Sequence, residues 1–208
     1  MKKVVIINSG IGNVQSVFNA VLRVSSNAVI VNTVDELMRI DISHLILPGV
    51  GAVGEYLQNL KKSGFDAVIK KLVLNDKIPL LGICVGMHAL ATTCFEFGTH
   101  DGMDLIPGKV KKIDRLTDHI KLPHVGWNQI NISECDRLVN TVNNHDFYFV
   151  HSYHFDCESE FVIAHSEYGI EFASIIGRNN IFGVQFHPEK SSLSGEILFG
   201  CFIQHGRL

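Results

Sequence analysis

The stretch Lys77–Ala91, KIPLLGICVGMHALA, decides how the rest of the chain is interpreted. Within it, Pro79–Ile83 is an apolar run of strand length, and the residues that follow Gly86 suit a helix. Cys84 lies between the two, with Gly82 and Gly86 two residues away on either side. This is the pattern of a nucleophile elbow, in which a strand turns abruptly into a helix and small neighbours permit the strained turn. The pattern predicts a reactive thiol at a sheet edge, near free backbone N–H groups and a helix dipole that favours thiolate; the alternative is a buried structural cysteine.

The elements on either side of this elbow alternate between strand and helix. Strands are predicted at Val4–Ile7, Ala28–Val31, His44–Leu47 and Pro79–Ile83. Helices are predicted at residues 14–22, Asp35–Met38, Glu55–Lys61, Phe65–Leu74 and from Met87 to about Phe97. Such alternation predicts an α/β fold of flavodoxin-like type, with a mostly parallel central sheet and helices on both faces.

The second half of the chain differs, because its segments are short and β-prone. Gly108–Ile132 is expected to form an antiparallel meander, followed by one strand at Phe147–Tyr153. Further strands are predicted at Phe161–Ala164, Phe172–Ile176 and Ile181–His187, and a last helix at Gly195–Gln204. The expectation is one α/β domain, residues 1–208, with a smaller antiparallel β section.

Composition and charge exclude several classes of function. A net charge of −3 without a basic run argues against a nucleic-acid or anionic-membrane partner. The five cysteines are odd in number and lack Cys-x-x-Cys spacing, so neither a disulfide framework nor a zinc site is indicated. The apolar run Val4–Ile7 is too short for a signal peptide or membrane span. A cytoplasmic protein is expected.

No cofactor or metal is predicted. Gly10 and Gly12 follow a strand, but Gln15 stands where a dinucleotide-binding turn has its third glycine. His151 and His154 are expected on opposite faces of one strand, where they cannot share a metal ion. The remaining candidates are loop aspartates without a recognisable ligand spacing: Asp101, Asp104, Asp114 and Asp118.

A cysteine nucleophile needs a base and a group that orients the base. His187 and Glu189 are two residues apart at the end of a predicted strand, so their side chains are expected on the same side. An imidazole beside a carboxylate can take the thiol proton and remain stable as imidazolium. Pro48–Gly51, also at a strand end, is expected to offer backbone N–H groups to a substrate carbonyl.

These motifs together resemble those of the class I (triad) glutamine amidotransferases. Within that family, the chain is most similar to the glutaminase subunits of imidazole glycerol phosphate synthase, from histidine biosynthesis. The matching segments run from residue 8 to residue 191 and are Gly10–Asn13, Pro48–Gly51, Gly82–Met87, Pro123–Asn128, Tyr148–Tyr153 and Phe186–Ser191.

The resemblance implies a reaction and a role for each motif. Cys84 would attack the side-chain amide of L-glutamine, His187 would protonate the departing ammonia and then activate water, and Glu189 would orient His187. The oxyanion hole is expected at the backbone of Val50, Gly51 and Val85. Substrate-binding roles are expected for Gly49, Gly51, His88, Ser152 and Tyr153.

The resemblance also implies a partner. The ammonia would pass to a (β/α)₈-barrel cyclase or synthase subunit in a heterodimer, without release to solvent. Residues expected to face this partner are Pro123, Trp127, Asn128 and Lys190.

The chain departs from the family pattern at His88, where glutamine is usual, and at Asn8 and Ser9, where aspartate and tyrosine are usual. His88 is expected to contact the substrate, and a histidine that titrates near pH ~6.5 would make the KM for glutamine depend on pH. The resemblance leaves open a related amidotransferase subunit that supplies ammonia for amidino-sugar synthesis. The residues also leave two alternatives from other classes: a stand-alone cysteine hydrolase and a non-catalytic binding subunit.

Overall fold

The computed structural model describes residues 2–114, 120–132 and 139–208. The strands are β1 (Lys3–Ile7), β2 (Ala28–Val31), β3 (Ile42–Gly49), β4 (Leu80–Cys84), β5 (Thr93–Cys94), β6 (His100–Asp101), β7 (Lys109–Lys112), β8 (His124–Gln129), β9 (Asn131–Ile132), β10 (Asp146–His151), β11 (Tyr153–Asp156), β12 (Val162–Glu167), β13 (Glu171–Arg178) and β14 (Ile181–Val184). The α-helices are α1 (Val14–Leu22), α2 (Val34–Met38), α3 (Val53–Ser63), α4 (Phe65–Leu74), α5 (Val85–His88) and α6 (Ser192–His205). Short 3₁₀ helices lie at Val139–Val142, Ser159–Phe161 and Pro188–Lys190.

In the described part of the chain, eight strands form the main sheet in the order β2-β1-β3-β4-β14-β13-β12-β9. The pairings among β1, β2, β3, β4 and β14 are parallel, and those among β14, β13, β12 and β9 are antiparallel. The predicted α/β fold, with its mostly parallel sheet and antiparallel addition, is thereby confirmed.

Helices cover the sheet on both faces. The chain runs outward from β1 through α1 to β2, then back across β1 through α2 to β3, and it continues in that direction through α3 to β4. Right-handed crossovers in opposite directions therefore place α1 on one face and α2 and α3 on the other. Helix α6 packs against α1, and α4 packs against α3. This double cover explains why every residue of β4 is apolar or glycine and buried. Within residues 2–114, 120–132 and 139–208, no helix is long and apolar enough to span a membrane.

The predicted meander at Gly108–Ile132 is wrong, because its strands do not pair with one another. Strand β7 joins a four-stranded sheet of order β11-β7-β5-β6, β8 and β10 form a two-stranded sheet, and β9 extends the main sheet beside β12. Each partner is distant in sequence, so local strand spacing carried no information about the pairing. The predicted strand Phe147–Tyr153 is likewise divided at Ser152 into β10 and β11. His151 and His154 therefore belong to different strands, and both are buried.

The predicted helix from Met87 to about Phe97 is also wrong, since α5 ends after one turn at His88. Backbone N–H groups of a later segment occupy the carbonyls that would continue it: Met103 N donates to Ala89 O at 2.8 Å, and Ile106 N donates to Leu90 O at 3.0 Å. Strand β5 then begins at Thr93 and pairs with β6 and β7. Long-range pairing therefore overrides the helical composition of this segment.

Candidate active site

Three neighbouring parallel strands end at one edge of the sheet, and the residues that follow them form the site. Strand β3 ends at Gly49, which lies opposite Cys84 at the end of β4. On the other side of β4, Val184 lies opposite Ile83, so the chain that follows β14 passes close to Cys84. Open α/β sheets bind ligands at this carboxyl edge.

The backbone at Cys84 is strained in the way that a nucleophile elbow requires. Cys84 has φ 53° and ψ −108°, a sparsely populated positive-φ conformation that costs an L-residue roughly 1–3 kcal/mol. The neighbouring turn has no room for side chains: a Cβ on Gly86 would lie 1.8 Å from Leu47 O, and one on Gly49 would lie 2.5 Å from Gly86 N. Glycine at both positions lets the turns after β3 and β4 touch, which brings the loop after β3 against the thiol.

The expected contribution of a helix dipole at Cys84 needs correction. Helix α5 has only four residues, so few peptide dipoles align behind the sulfur. The first N–H groups of a helical turn still have no intrahelical acceptor, and this leaves Val85 N–H available to a ligand. Charge stabilisation at the sulfur must come chiefly from side chains.

His187 and Glu189 contact each other inside the protein. His187 Nδ1 lies 2.9 Å from Glu189 Oε1, and both side chains are almost fully buried. The contact does not use the expected extended geometry, because Pro188–Lys190 form a 3₁₀ turn that curls Glu189 back to the ring. Asn13 Nδ2 also donates to Glu189 Oε1, at 3.3 Å. Ser191 Oγ donates to His187 O at 2.6 Å, which fixes the turn.

His187 keeps its proton despite burial. Burial by itself lowers the pKa of His187, but hydrogen bonds to Cys84 and Glu189, together with their negative charges, raise it to about 10. The imidazole has the Glu189 carboxylate at 2.9 Å and lines the same cavity as Cys84. A histidine that holds a proton beside a cysteine is the arrangement in which a thiolate–imidazolium pair forms.

A cavity of about 170 Å³ opens over Cys84 and His187. The residues predicted for the oxyanion hole line it, as do most of those predicted for substrate binding: Val50, Gly51, Val85, His88, Ser152 and Tyr153. Gly49 does not line the cavity and instead packs against the backbone of Gly86 in the elbow. A cavity of this size next to the Cys84 sulfur suits a small polar substrate.

His88 lies in the cavity wall but points one ring nitrogen away from the substrate space. Its Nε2 lies 2.8 Å from Oε1 of the fully buried Gln185. Burial lowers the pKa of His88 to about 4, although the Gln185 contact opposes this and His154 adds to it. The expectation of a titration near pH ~6.5 is therefore wrong, because a desolvated imidazole stays neutral.

Of the four residues predicted to face a partner, Trp127 and Lys190 lie in one cluster around Tyr148, and Pro123 and Asn128 lie outside it. Trp127 is 54% exposed and packs edge-on against Tyr148, with ring centroids 6.1 Å apart. Lys190 Nζ lies 5.7 Å from the same Tyr148 ring and lines the cavity, so this cluster joins the outer surface to the site. Asn128 instead donates through Nδ2 to Glu167 O at 2.8 Å, because it points to the opposite face of β8. Pro123 lies exposed just before that strand.

Sequence reasoning missed three side chains in or beside the site. Gln185 donates to Cys84 Sγ, Glu96 lines the cavity and accepts from Val53 N at 2.7 Å, and Asn13 donates to Glu189. Gln185 had a local signal, since it lies two residues before His187, and Asn13 ends a segment that matched the family, but neither had been assigned a role. Only the tertiary fold brings Glu96 to the cavity.

In the part of the chain that the structure describes, no group of three or more His, Cys, Asp or Glu side chains could hold a metal ion. Asp118 and Cys135 lie outside the described residues.

The model of the class-I glutamine amidotransferase family matches residues 5–205 of the chain. The chain therefore belongs to the class-I glutamine amidotransferases. Solved structures agree on the fold: a crystal structure of a glutamine amidotransferase has a TM-score of 0.76 at 16% identity and covers 97% of this chain and 98% of its own. The PurLQS structure from Thermotoga maritima has a TM-score of 0.74 at 16% identity and covers 99% of each chain.

Curated relatives are similar to the chain over nearly its full length. The "imidazole glycerol phosphate synthase subunit HisH" of Moorella thermoacetica is 43% identical, over 99% of this chain and 97% of its own. The subunit named HisH 2 of Methanococcus maripaludis is 40% identical, over 97% of this chain and 98% of its own. HisH of Lactococcus lactis is 39% identical, over 98% and 99% respectively.

Proposed function

We propose that this chain is the glutaminase subunit of an imidazole glycerol phosphate synthase in histidine biosynthesis. It hydrolyses L-glutamine to glutamate and ammonia and delivers the ammonia to a synthase partner. The observation that carries the proposal is the placement of Cys84 and His187 in the wall of one cavity, with Glu189 2.9 Å from His187 Nδ1, in a chain 39–43% identical to three subunits of that synthase.

The reaction follows from the positions of these three side chains. The proton of the Cys84 thiol passes to His187, and the sulfur attacks the side-chain carbonyl carbon of glutamine. His187 returns the proton to the departing ammonia, which leaves a γ-glutamyl thioester on the sulfur. His187 then takes a proton from water, and the hydroxide attacks the thioester carbon. The C–S bond breaks, glutamate leaves, and the sulfur and the proton remain on Cys84 and His187 as in the starting state. Glu189, 2.9 Å from His187 Nδ1, holds the ring in place and stabilises its positive charge.

Backbone N–H groups are assigned to the negative oxygen of the tetrahedral intermediate. Val85 N–H begins α5, and the loop of Val50 and Gly51 lines the same cavity. Gly51 has φ 81°, so the peptide before it can turn with little steric resistance. We assign to that peptide a role in control: it supplies its N–H to the oxyanion only when a partner is bound. One such donor is worth roughly 10²–10³ in rate.

The partner is assigned to the surface around Trp127. An exposed tryptophan that packs on Tyr148, with Lys190 on the same ring, is the kind of aromatic and cationic cluster that anchors protein interfaces. Lys190 lies on the Tyr148 ring and also lines the cavity, so a partner bound around Trp127 can change the geometry of the active site through Lys190. The partner assigned to this surface is a (β/α)₈-barrel cyclase subunit, in a heterodimer.

The test reconstitutes the chain with the cyclase subunit from the same genome. Glutamine hydrolysis is measured for the chain alone, for the complex, and for the complex with the cyclase substrate. The expected result is a nearly inactive chain and a rate higher by orders of magnitude in the loaded complex. Full activity of the isolated chain would contradict the proposal and favour a stand-alone hydrolase.

The same experiment decides the pathway. Stimulation by the histidine-pathway cyclase supports the proposal. Stimulation only by a synthase that makes an amidino sugar would assign the chain to polysaccharide synthesis.

A further inference from the structure

Gln185 is fully buried beside the sulfur of Cys84, and the reaction above gives it no role. Gln185 Nε2 donates to Cys84 Sγ across 3.9 Å. The backbone N–H of Gln185 donates to Ser174 O at 2.9 Å, which fixes the residue just beyond β14. The side chain is therefore held against the reacting atom by the sheet itself.

The sulfur of Cys84 lies between two neighbours with opposite preferences. Val150 O, also 3.9 Å away, can only accept a hydrogen bond, so it favours the neutral S–H form. The N–H of Gln185 is a donor and favours the negatively charged sulfur. Without that donor, the carbonyl would face a thiolate with only His187 to oppose it.

The orientation of the Gln185 amide depends on His88. His88 Nε2 lies 2.8 Å from Gln185 Oε1, and both side chains are buried. Burial lowers the pKa of His88 to about 4, so the ring is neutral and one nitrogen carries a hydrogen. With that hydrogen on Nε2, the ring donates to Oε1 and leaves Gln185 Nε2 toward the sulfur. The reverse amide orientation would place Oε1 against a thiolate, where the two would repel.

We propose that Gln185 is a further catalytic residue that stabilises the Cys84 thiolate with its side-chain N–H, and that His88 is a positioning residue that fixes the orientation of the Gln185 amide. Gln185 neither gains nor loses a proton, since the thiol proton passes to His187 and the N–H only stabilises the charge left on the sulfur. The inference rests on Cys84 being the nucleophile of the proposed function. A glutamine at position 88, the residue usual in the family, could position the Gln185 amide in the same way as His88, because glutamine also offers an N–H donor.

The test is the rate at which iodoacetamide alkylates Cys84 in the whole isolated chain, from about pH 5 to about pH 10. No glutamine or partner is needed, and peptide mass spectrometry reports each cysteine separately. Cys157, which does not line the cavity, is the internal control. Six other charged or titratable side chains line the cavity and could affect the pH dependence, and each variant keeps all of them except a residue that it replaces: His88, Glu96, His151, Tyr153, His187 and Lys190.

Gln185→Met keeps the approximate shape and removes the donor. Alkylation near pH 7 is expected to be about tenfold slower, the low end of the range for a hydrogen bond to a charged group. The pH of half-maximal rate is expected to rise, while the plateau rate at high pH stays the same. If the substitution changed only the packing, the plateau rate at high pH would change and the pH of half-maximal rate would not. A pH of half-maximal rate equal to that of the wild type would overturn the proposal.

Two substitutions at His88 test the orientation and remain informative if Gln185→Met does not fold. His88→Gln retains a donor and is expected to keep the wild-type midpoint, whereas His88→Met is expected to raise it. In the Gln185→Met background the His88→Met change is expected to add nothing, because its effect passes through the amide. Equal midpoints for His88→Gln and His88→Met, or independent effects in the double variant, would overturn the proposal.

The proposed function can fail without this inference failing. If the loaded complex does not hydrolyse glutamine but the midpoints move as expected, the pathway assignment is wrong and the role of Gln185 stands. If hydrolysis is normal and the midpoints do not move, the inference alone is wrong.

Discussion

Replacement of Glu189 by glutamine removes a buried charge and leaves the shape of the site in place. Glu189 Oε1 accepts from both His187 Nδ1, at 2.9 Å, and Asn13 Nδ2, at 3.3 Å, and an amide oxygen can accept both. Among the described residues, Oε2 has no hydrogen-bond partner, so the new NH₂ group breaks no contact there. The substitution therefore isolates the contribution of charge.

The expected effect follows from the interaction of that charge with the imidazolium. Unit charges about 4 Å apart interact by about 4 kcal/mol at an effective dielectric constant near 20. This interaction is present when His187 is protonated and is lost in the variant, so the upper bound corresponds to about a thousandfold in rate. We expect kcat for glutamine hydrolysis to fall by roughly 10²–10³, with KM changed less than about threefold because Glu189 does not line the cavity.

The assay is steady-state glutamate formation in the complex with partner and acceptor saturating. Asn13→Ala is the matched control, since it removes an uncharged donor to the same oxygen but keeps the carboxylate charge, and it is expected to lower kcat less than Glu189→Gln does. Thermal unfolding verifies that both variants are folded. A Glu189→Gln enzyme with kcat within a few fold of the wild type would refute the electrostatic reasoning.

The KM for glutamine is expected to stay flat between about pH 6 and about pH 8, because the neutral His88 has a pKa of about 4; a several-fold change near pH ~6.5 would contradict the burial argument. Gly86→Ala is expected to lower the free energy of unfolding in urea by more than about 3 kcal/mol, since the new Cβ would lie 1.8 Å from Leu47 O, and a loss below about 1 kcal/mol would show that the elbow can relax. Trp127→Ala is expected to weaken partner binding at least about tenfold in calorimetry while stability changes by less than about 0.5 kcal/mol; unchanged affinity would exclude this surface. The pKa of His187 is raised to about 10 in the fold, so its contribution to stability is complete below pH ~6.5 and is lost as pH rises toward 10. His187→Asn should therefore lose less stability over that range than the wild type, and identical slopes would refute the assignment.

Local sequence was sufficient wherever a segment's own pattern decides its structure. The strand before Cys84 and the glycines at positions 82 and 86 predict an elbow, because the size of the residues two positions to either side of Cys84 determines whether the strained turn is possible. The first four strands are apolar runs that can be buried only between two layers of helix, so the parallel sheet could also be predicted. The proximity of His187 to Glu189 depends on two residues of spacing and was predicted, although a turn and not a strand produces it.

Only the tertiary structure determined the features that depend on contacts between residues distant along the chain. The segment after His88 has a helical composition but ends its helix, because N–H groups from residues 103–106 take its carbonyls. The pKa of His88 is a property of the cavity that surrounds it, and no spacing in the sequence predicts how completely an imidazole is desolvated. Gln185 meets Cys84 because β14 lies beside β4, across about a hundred residues of intervening chain. The sequence therefore determined which groups could react, and only the packing of β3, β4 and β14 determined which of them meet.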